Sequence, residues 1–175
     1  MSSPPHPDPL PRWGEGNKIW LVVALAVFGA GLLYSRMRPE PRPSWQRRVS
    51  ELTDSQQKFY AQLRTQLRSA EQVRSAKKIW PPAAGLFPEG WALLAQRSTI
   101  NYVGEGEGLR WLVLFLEPDP RAAPEKAPPE DDEHHTLGDG TALHVTVWTQ
   151  PISELSTPLV TAFPATEGWV ERVAR

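Results

Sequence analysis

The apolar positions of this chain follow three different periods in turn. The first is an uncharged run from Ile19 to Tyr34, fenced by Lys18 and Arg36. At ~1.5 Å of rise per residue, about 17 helical residues are just enough to cross a hydrocarbon core. Trp20 and Tyr34 stand at its two ends, where amphipathic rings prefer the headgroup level. The run therefore predicts a single transmembrane helix over residues 18–35. Two other readings compete with it. Ala24-Leu25-Ala26 has the small-x-small pattern of a signal-peptide cleavage site, although cleavage there would leave only Ile19 to Val23 as most of the apolar region. A buried core helix is the other. Ala26 and Ala30 form a small-xxx-small pair that would let a second helix approach.

The second period is helical. Between Ser44 and Lys78, residues Trp45, Val49, Leu52, Phe59, Leu63, Leu67, Ala70 and Val73 recur at three-, four- and seven-residue spacing. Thr53-Asp54-Ser55-Gln56 reads as a capping box, so a break or restart is expected near Thr53. Arg74, Lys77 and Lys78 suit the negative pole of the helix, and Pro81-Pro82 ends it. The stripe can pack on the domain's own sheet or form a coiled coil with another chain; Gln56 and Gln66 interrupt it and weaken the second reading.

The third period is that of strands. Trp91 to Tyr102 predicts one strand, Gly104 to Gly108 a turn, and Leu109 to Leu116 a central strand that buries Trp111. From Thr141 to Thr149, Leu143, Val145 and Val147 alternate with His144, Thr146 and Trp148. Trp169, Val170 and Val173 suggest a last short element. The fold class expected is α+β: a single N-terminal transmembrane helix, a long amphipathic helix, then a small antiparallel sheet.

Composition sharpens the boundaries. Thirteen of the nineteen prolines gather on both sides of the apolar run and between 118 and 129. Residues 1–17 read as a disordered tail, 36–43 as a stiff Pro-rich spacer, and 44–175 as one soluble domain with an acidic, Pro-rich loop over 118–140. The net charge is −1 and no dense basic patch occurs, so nucleic acid is not an expected partner. The expected partner is the lipid bilayer. Orientation is contested. Arg36, Arg38, Arg42, Arg47 and Arg48 follow the apolar run while only Arg12 and Lys18 precede it, which by the positive-inside rule holds the domain in the cytoplasm. A short tail before a long domain is instead the layout of an exported signal anchor. The absence of cysteine suits either side.

The densest ligand-type cluster is Glu130-Asp131-Asp132-Glu133-His134-His135, with Asp139 and His144 nearby; three of the four histidines fall between 134 and 144. Imidazole and carboxylate suit zinc and related divalent cations. The candidate ligands are His134, His135, His144, Asp131, Asp132 and Glu133, in a site of low affinity, and the alternative is a solvated acidic loop. The 104–108 glycines lack the dinucleotide spacing, and Glu105 and Glu107 would repel phosphate. No zinc-protease or serine-hydrolase motif occurs and no thiol is present, so no enzyme is expected.

Trp45-Gln46, Leu52-Thr53, Gln56-Gln57, Tyr60-Ala61-Gln62-Leu63-Arg64, Pro81, Leu86-Phe87-Pro88-Glu89-Gly90, Trp111, Gly138-Asp139-Gly140 and Gly168-Trp169-Val170 together resemble a family of uncharacterised single-pass proteobacterial membrane proteins. The resemblance spans about residues 40–175. It implies genes beside periplasmic metal-binding proteins and importers for zinc or related metals, and a histidine-rich loop before the Gly-Asp-Gly turn. Here that loop holds only His134 and His135 behind four acidic residues. The function expected is an inner-membrane accessory of zinc acquisition with a periplasmic domain, collecting metal weakly or contacting a metal importer or metal-binding protein. The alternative is a structural or assembly subunit of a cell-envelope machine, pilin-like in architecture but without the glycine-and-glutamate signature of true pilins.

Overall fold

The computed structural model describes residues 23, 25–30, 42–119, 121, 129–152 and 160–174. The chain divides into two units, residues 1–41 and 42–175. In the first, Val23 and residues 25–30 are helical. Here the expected architecture needs its first correction: among the described residues no helix is long and apolar enough to cross a membrane. Six consecutive helical residues rise only about 9 Å, against the roughly 30 Å of a hydrocarbon core. The rest of the 18–35 run, the 1–17 tail and most of the 36–43 spacer lie outside the described residues.

The second correction concerns the sheet. It is not small and antiparallel but seven-stranded and mixed. Its strands are β1 (Gln46–Arg48), β2 (Ala92–Gln96), β3 (Thr99–Gly106), β4 (Leu109–Leu116), β5 (His134–Thr136), β6 (Ala142–Pro151) and β7 (Val170–Val173). The order is β1-β7-β6-β4-β3-β2, with β5 also on β6. Parallel pairing enters through β1, whose Gln46 and Arg48 align with Glu171 and Val173 of β7. The expected helix began at Ser44 because Trp45, Val49 and Leu52 have helical spacing. Instead Gln46–Arg48 is drawn out and only Val49–Glu51 coils, as one 3-10 turn: Glu171 N–H donates to Trp45 O at 2.8 Å, and Gln46 Nε2 donates to Glu171 Oε2 at 2.7 Å.

The helix proper, α1 (Asp54–Lys77), starts at the predicted capping box. Thr53 N–H donates to Gln56 Oε1 at 3.1 Å and Gln56 N–H to Thr53 Oγ1 at 3.4 Å, so two orphan donors of the first turn are satisfied reciprocally. Lys78 ends it in the left-handed region, its N–H bonded to Arg74 O at 2.8 Å. The stripe Leu63, Leu67 and Ala70 is fully buried against the sheet; on the sheet side the same core holds Trp111, Val113, Phe115, Leu143, Val145 and Val147. The opposite face carries a second, smaller core of Val103, Leu112, Leu114, Trp148 and Trp169, with Trp45 stacked on Trp148 at 5.7 Å. Covering of both faces explains the nearly unbroken apolar run of β4.

Two turns depart from expectation. The segment expected as one strand from Trp91 is a hairpin, turning at Arg97-Ser98 between the paired Gln96 and Thr99; Arg97 takes φ 54°. The Gly104–Gly108 segment is mostly strand. Only Glu107 (φ 50°) and Gly108 (φ 73°) turn, the pair of positive angles that fits a two-residue hairpin loop.

Candidate metal site

Strand alternation decides which candidate ligands meet. In β6, Leu143, Val145 and Val147 belong to the core under α1, so His144 points to the other face. Strand β5 pairs His134 with His144 and His135 with Leu143. Directly paired residues share a face. His134 therefore joins His144 on the face away from α1, and His135 is turned under the helix. The expected three-histidine cluster is divided by the sheet.

On the outer face the imidazoles of His134 and His144 lie with centroids 5.0 Å apart and planes tilted by 53°. Both are half-buried. Asp131 organises the approach to β5. Its Oδ1 accepts the N–H groups of Glu133 at 2.8 Å and His134 at 2.7 Å, and its carboxylate faces His134 Nδ1 at 3.0 and 3.1 Å. The backbone bond from Glu133, then those from His134, hold the Asp131 pKa down at about 2. Burial, and then the charge of His134, lower the pKa of His144, while Glu133 and Asp131 act the other way. The net effect favours the neutral ring that can ligate a metal. The exposed Asp132 lies 3.9 Å from Arg64 of α1. Glu133 is fixed through its backbone, its O accepting Val145 N–H at 2.6 Å. Among the described residues, no group of three or more His, Asp or Glu side chains is gathered tightly enough to hold an ion by itself.

Under the helix, His135 is 2% exposed. Its Nδ1 makes a 2.5 Å bond to Glu71 Oε1, while its Nε2 is buried with no partner among the described residues. Glu71 also faces Arg68 Nη1 at 3.4 Å. Sequence reasoning missed Glu71, yet a signal was there. It falls four residues after Leu67 and one after Ala70, a carboxylate at a stripe position, and a buried carboxylate needs a polar partner. A similar tie joins the helix to the end of β4, where Glu117 Oε1 accepts Arg74 Nε at 2.8 Å and Trp80 Nε1 at 3.0 Å.

A further buried carboxylate, Glu171, lies on β7. It is 4% exposed, and burial raises its pKa, with the Gln46 bond acting in the opposite direction. A raised folded-state pKa means that folding takes up protons, so this group's contribution to stability declines as pH rises through the folded value. Glu171→Gln preserves an acceptor for Gln46 and removes the desolvated charge. The variant should be more stable than the parent at pH 7, and the advantage should shrink towards pH 4. Urea denaturation of both chains at the two pH values checks this.

Compared with protein-family models, curated proteins and solved structures, the chain matches none.

Proposed function

We propose that this protein is a non-enzymatic accessory of transition-metal acquisition, in which His134 and His144 collect a divalent cation such as zinc at low affinity. The observation that carries this reading is the pairing of the two imidazoles across β5 and β6, with centroids 5.0 Å apart. Asp131 and Glu133, whose charges act on His144, attract cations electrostatically, whereas Asp132 faces Arg64. The resemblance to proteins encoded beside metal importers supports the same role, with an importer or a metal-binding protein as the recipient. His135 is a structural residue in this reading, because among the described residues its ring is bonded to Glu71 and the helix covers it.

The test is calorimetric titration of the full chain with zinc at neutral pH. Weak binding is expected, well short of the roughly 10–16 kcal/mol of structural zinc sites. Replacing His134 and His144 together by alanine should abolish the zinc-dependent heat. Asp132→Asn should change it little. No heat from the parent chain, or the same heat from the double variant, would exclude the metal role and leave the assembly-subunit reading.

A further inference from the structure

Resting on that reading, we propose that Asp131 is the positioning residue of a two-imidazole cation site: it holds His134 as the Nδ1–H tautomer and so presents Nε2 to an ion shared with His144. The spacing of the rings fits the coordination. A zinc–nitrogen bond of about 2.0–2.1 Å, with about 1.1 Å more from nitrogen to ring centre, places two imidazole centroids about 5 Å apart at a tetrahedral angle. The observed separation is 5.0 Å. The rings reach it because β5 and β6 place them directly opposite one another, so the backbone ladder, and not a mobile loop, sets the bite.

Asp131 supplies the second requirement. A metal-ligating imidazole ordinarily donates its other N–H to a carboxylate or carbonyl, which fixes the tautomer and raises the basicity of the ligating nitrogen. Asp131 stands at that position on His134 Nδ1. The carboxylate is itself pinned by the N–H groups of Glu133 and His134, which leaves it little freedom to swing round and ligate in its own right. Asp131, expected from the sequence as a ligand, thus acts through His134. The contrast with the neighbouring histidine is instructive. His135 also has a carboxylate, Glu71, on Nδ1. Its Nε2 is enclosed, however, with no second imidazole opposite it, since its cross-strand partner is Leu143. The two adjacent histidines share a tautomer-fixing arrangement, but only one of them faces a second ligand.

Asp131→Asn separates positioning from mere turn formation. The asparagine Oδ1 can still accept both backbone N–H groups, so β5 should remain in place. Oδ1, though 3.0 Å from His134 Nδ1, is already occupied by those two N–H groups. The amide nitrogen that replaces Oδ2 at 3.1 Å can only donate to Nδ1, which favours the Nε2–H tautomer that cannot ligate through Nε2. In the full chain labelled with ¹⁵N-histidine, the parent His134 should show the Nδ1–H pattern, and zinc should shift Nε2 of His134 together with the His144 ring. In Asp131→Asn the tautomer should invert and zinc affinity should fall 10–100-fold, the range for loss of such an outer partner; Asp132→Asn should do neither. Zinc binding by the parent with unchanged affinity in Asp131→Asn, or an Nε2–H tautomer in the parent, overturns the positioning role and leaves the metal-collecting reading standing. A parent chain that shows the Nδ1–H tautomer but takes up no zinc overturns the collecting reading, and the cation site with it.

Discussion

Replacing Trp111 by alanine should destabilise the domain by about 3–5 kcal/mol, the range for removing a large aromatic from a packed core. Trp111 is fully buried. Its ring lies 5.3 Å from that of Phe59 on α1, so it is a direct contact between helix and sheet. Its Nε1–H donates to Gly106 O at 2.8 Å. Alanine removes the ring, leaves a void between the two layers and withdraws the donor from that carbonyl. Trp111→Phe should cost less, since most of the volume stays and only the donor is lost. Urea denaturation of the full chain measures both. A loss under about 1 kcal/mol for the alanine variant would mean that the void collapses readily, contrary to the usual behaviour of a packed interior.

Gly106→Ala should also destabilise, although the local backbone effect runs the other way. In an ordinary strand, alanine is better than glycine by roughly 0.5–1 kcal/mol. Here a Cβ on Gly106 would lie 2.3 Å from Phe59 Cζ, far inside van der Waals contact. The ring cannot retreat freely, since Trp91 and Trp111 lie at 6.3 and 5.3 Å from it. Overpacking of this kind costs typically 1–3 kcal/mol and outweighs the propensity gain. A net loss of about 1 kcal/mol is expected. Phe59→Leu in the same chain should recover part of it, and a double-mutant cycle gives the coupling. Additive losses would show that Phe59 does not cause the strain. Gly104 stands in the same relation to Trp91, with a Cβ only 2.2 Å from the indole. Gly104 and Gly106 are thus clearances for aromatic rings, while Gly108 serves the turn.

What could be read in advance was local. The capping box located the start of α1, because Thr53 and Gln56 satisfy each other within one turn. The alternation of Leu143, Val145 and Val147 gave the faces of β6 for the same reason, and the apolar run of β4 placed Trp111 in the core. What could not be read depended on partners far along the chain. Trp45, Val49 and Leu52 have helical spacing, yet β1 is extended because β7 is there to pair with it. His134-His135-Thr136 lies in a charged stretch with no strand signal and becomes β5 only through the edge of β6. That same pairing divides the histidines, so the candidate site could be composed from the sequence but not partitioned. The Arg97-Ser98 turn lacks glycine, proline and asparagine; Arg97 accepts a left-handed conformation that costs roughly 1–2 kcal/mol, and the pairing of β2 with β3 must offset it. The membrane-spanning expectation, in contrast, rested on apolar length and on the aromatic rings at its ends, and the described helical segment there is too short to meet it.

The parallel junction of β1 and β7 has a consequence for synthesis. Gln46 and Glu171 are bonded across 125 positions, so β1 leaves the ribosome long before the strand that completes it. Until then α1 and the β2–β3–β4 meander can assemble from near neighbours, while Gln46–Arg48 has no ladder to join. Closing so long a loop is entropically costly and slows folding more than it weakens the final state. A nascent chain stalled short of residue 170 should therefore expose Trp45 and Trp148 to chaperones and proteases, and the emergence of β7 is the event that seals this side of the domain.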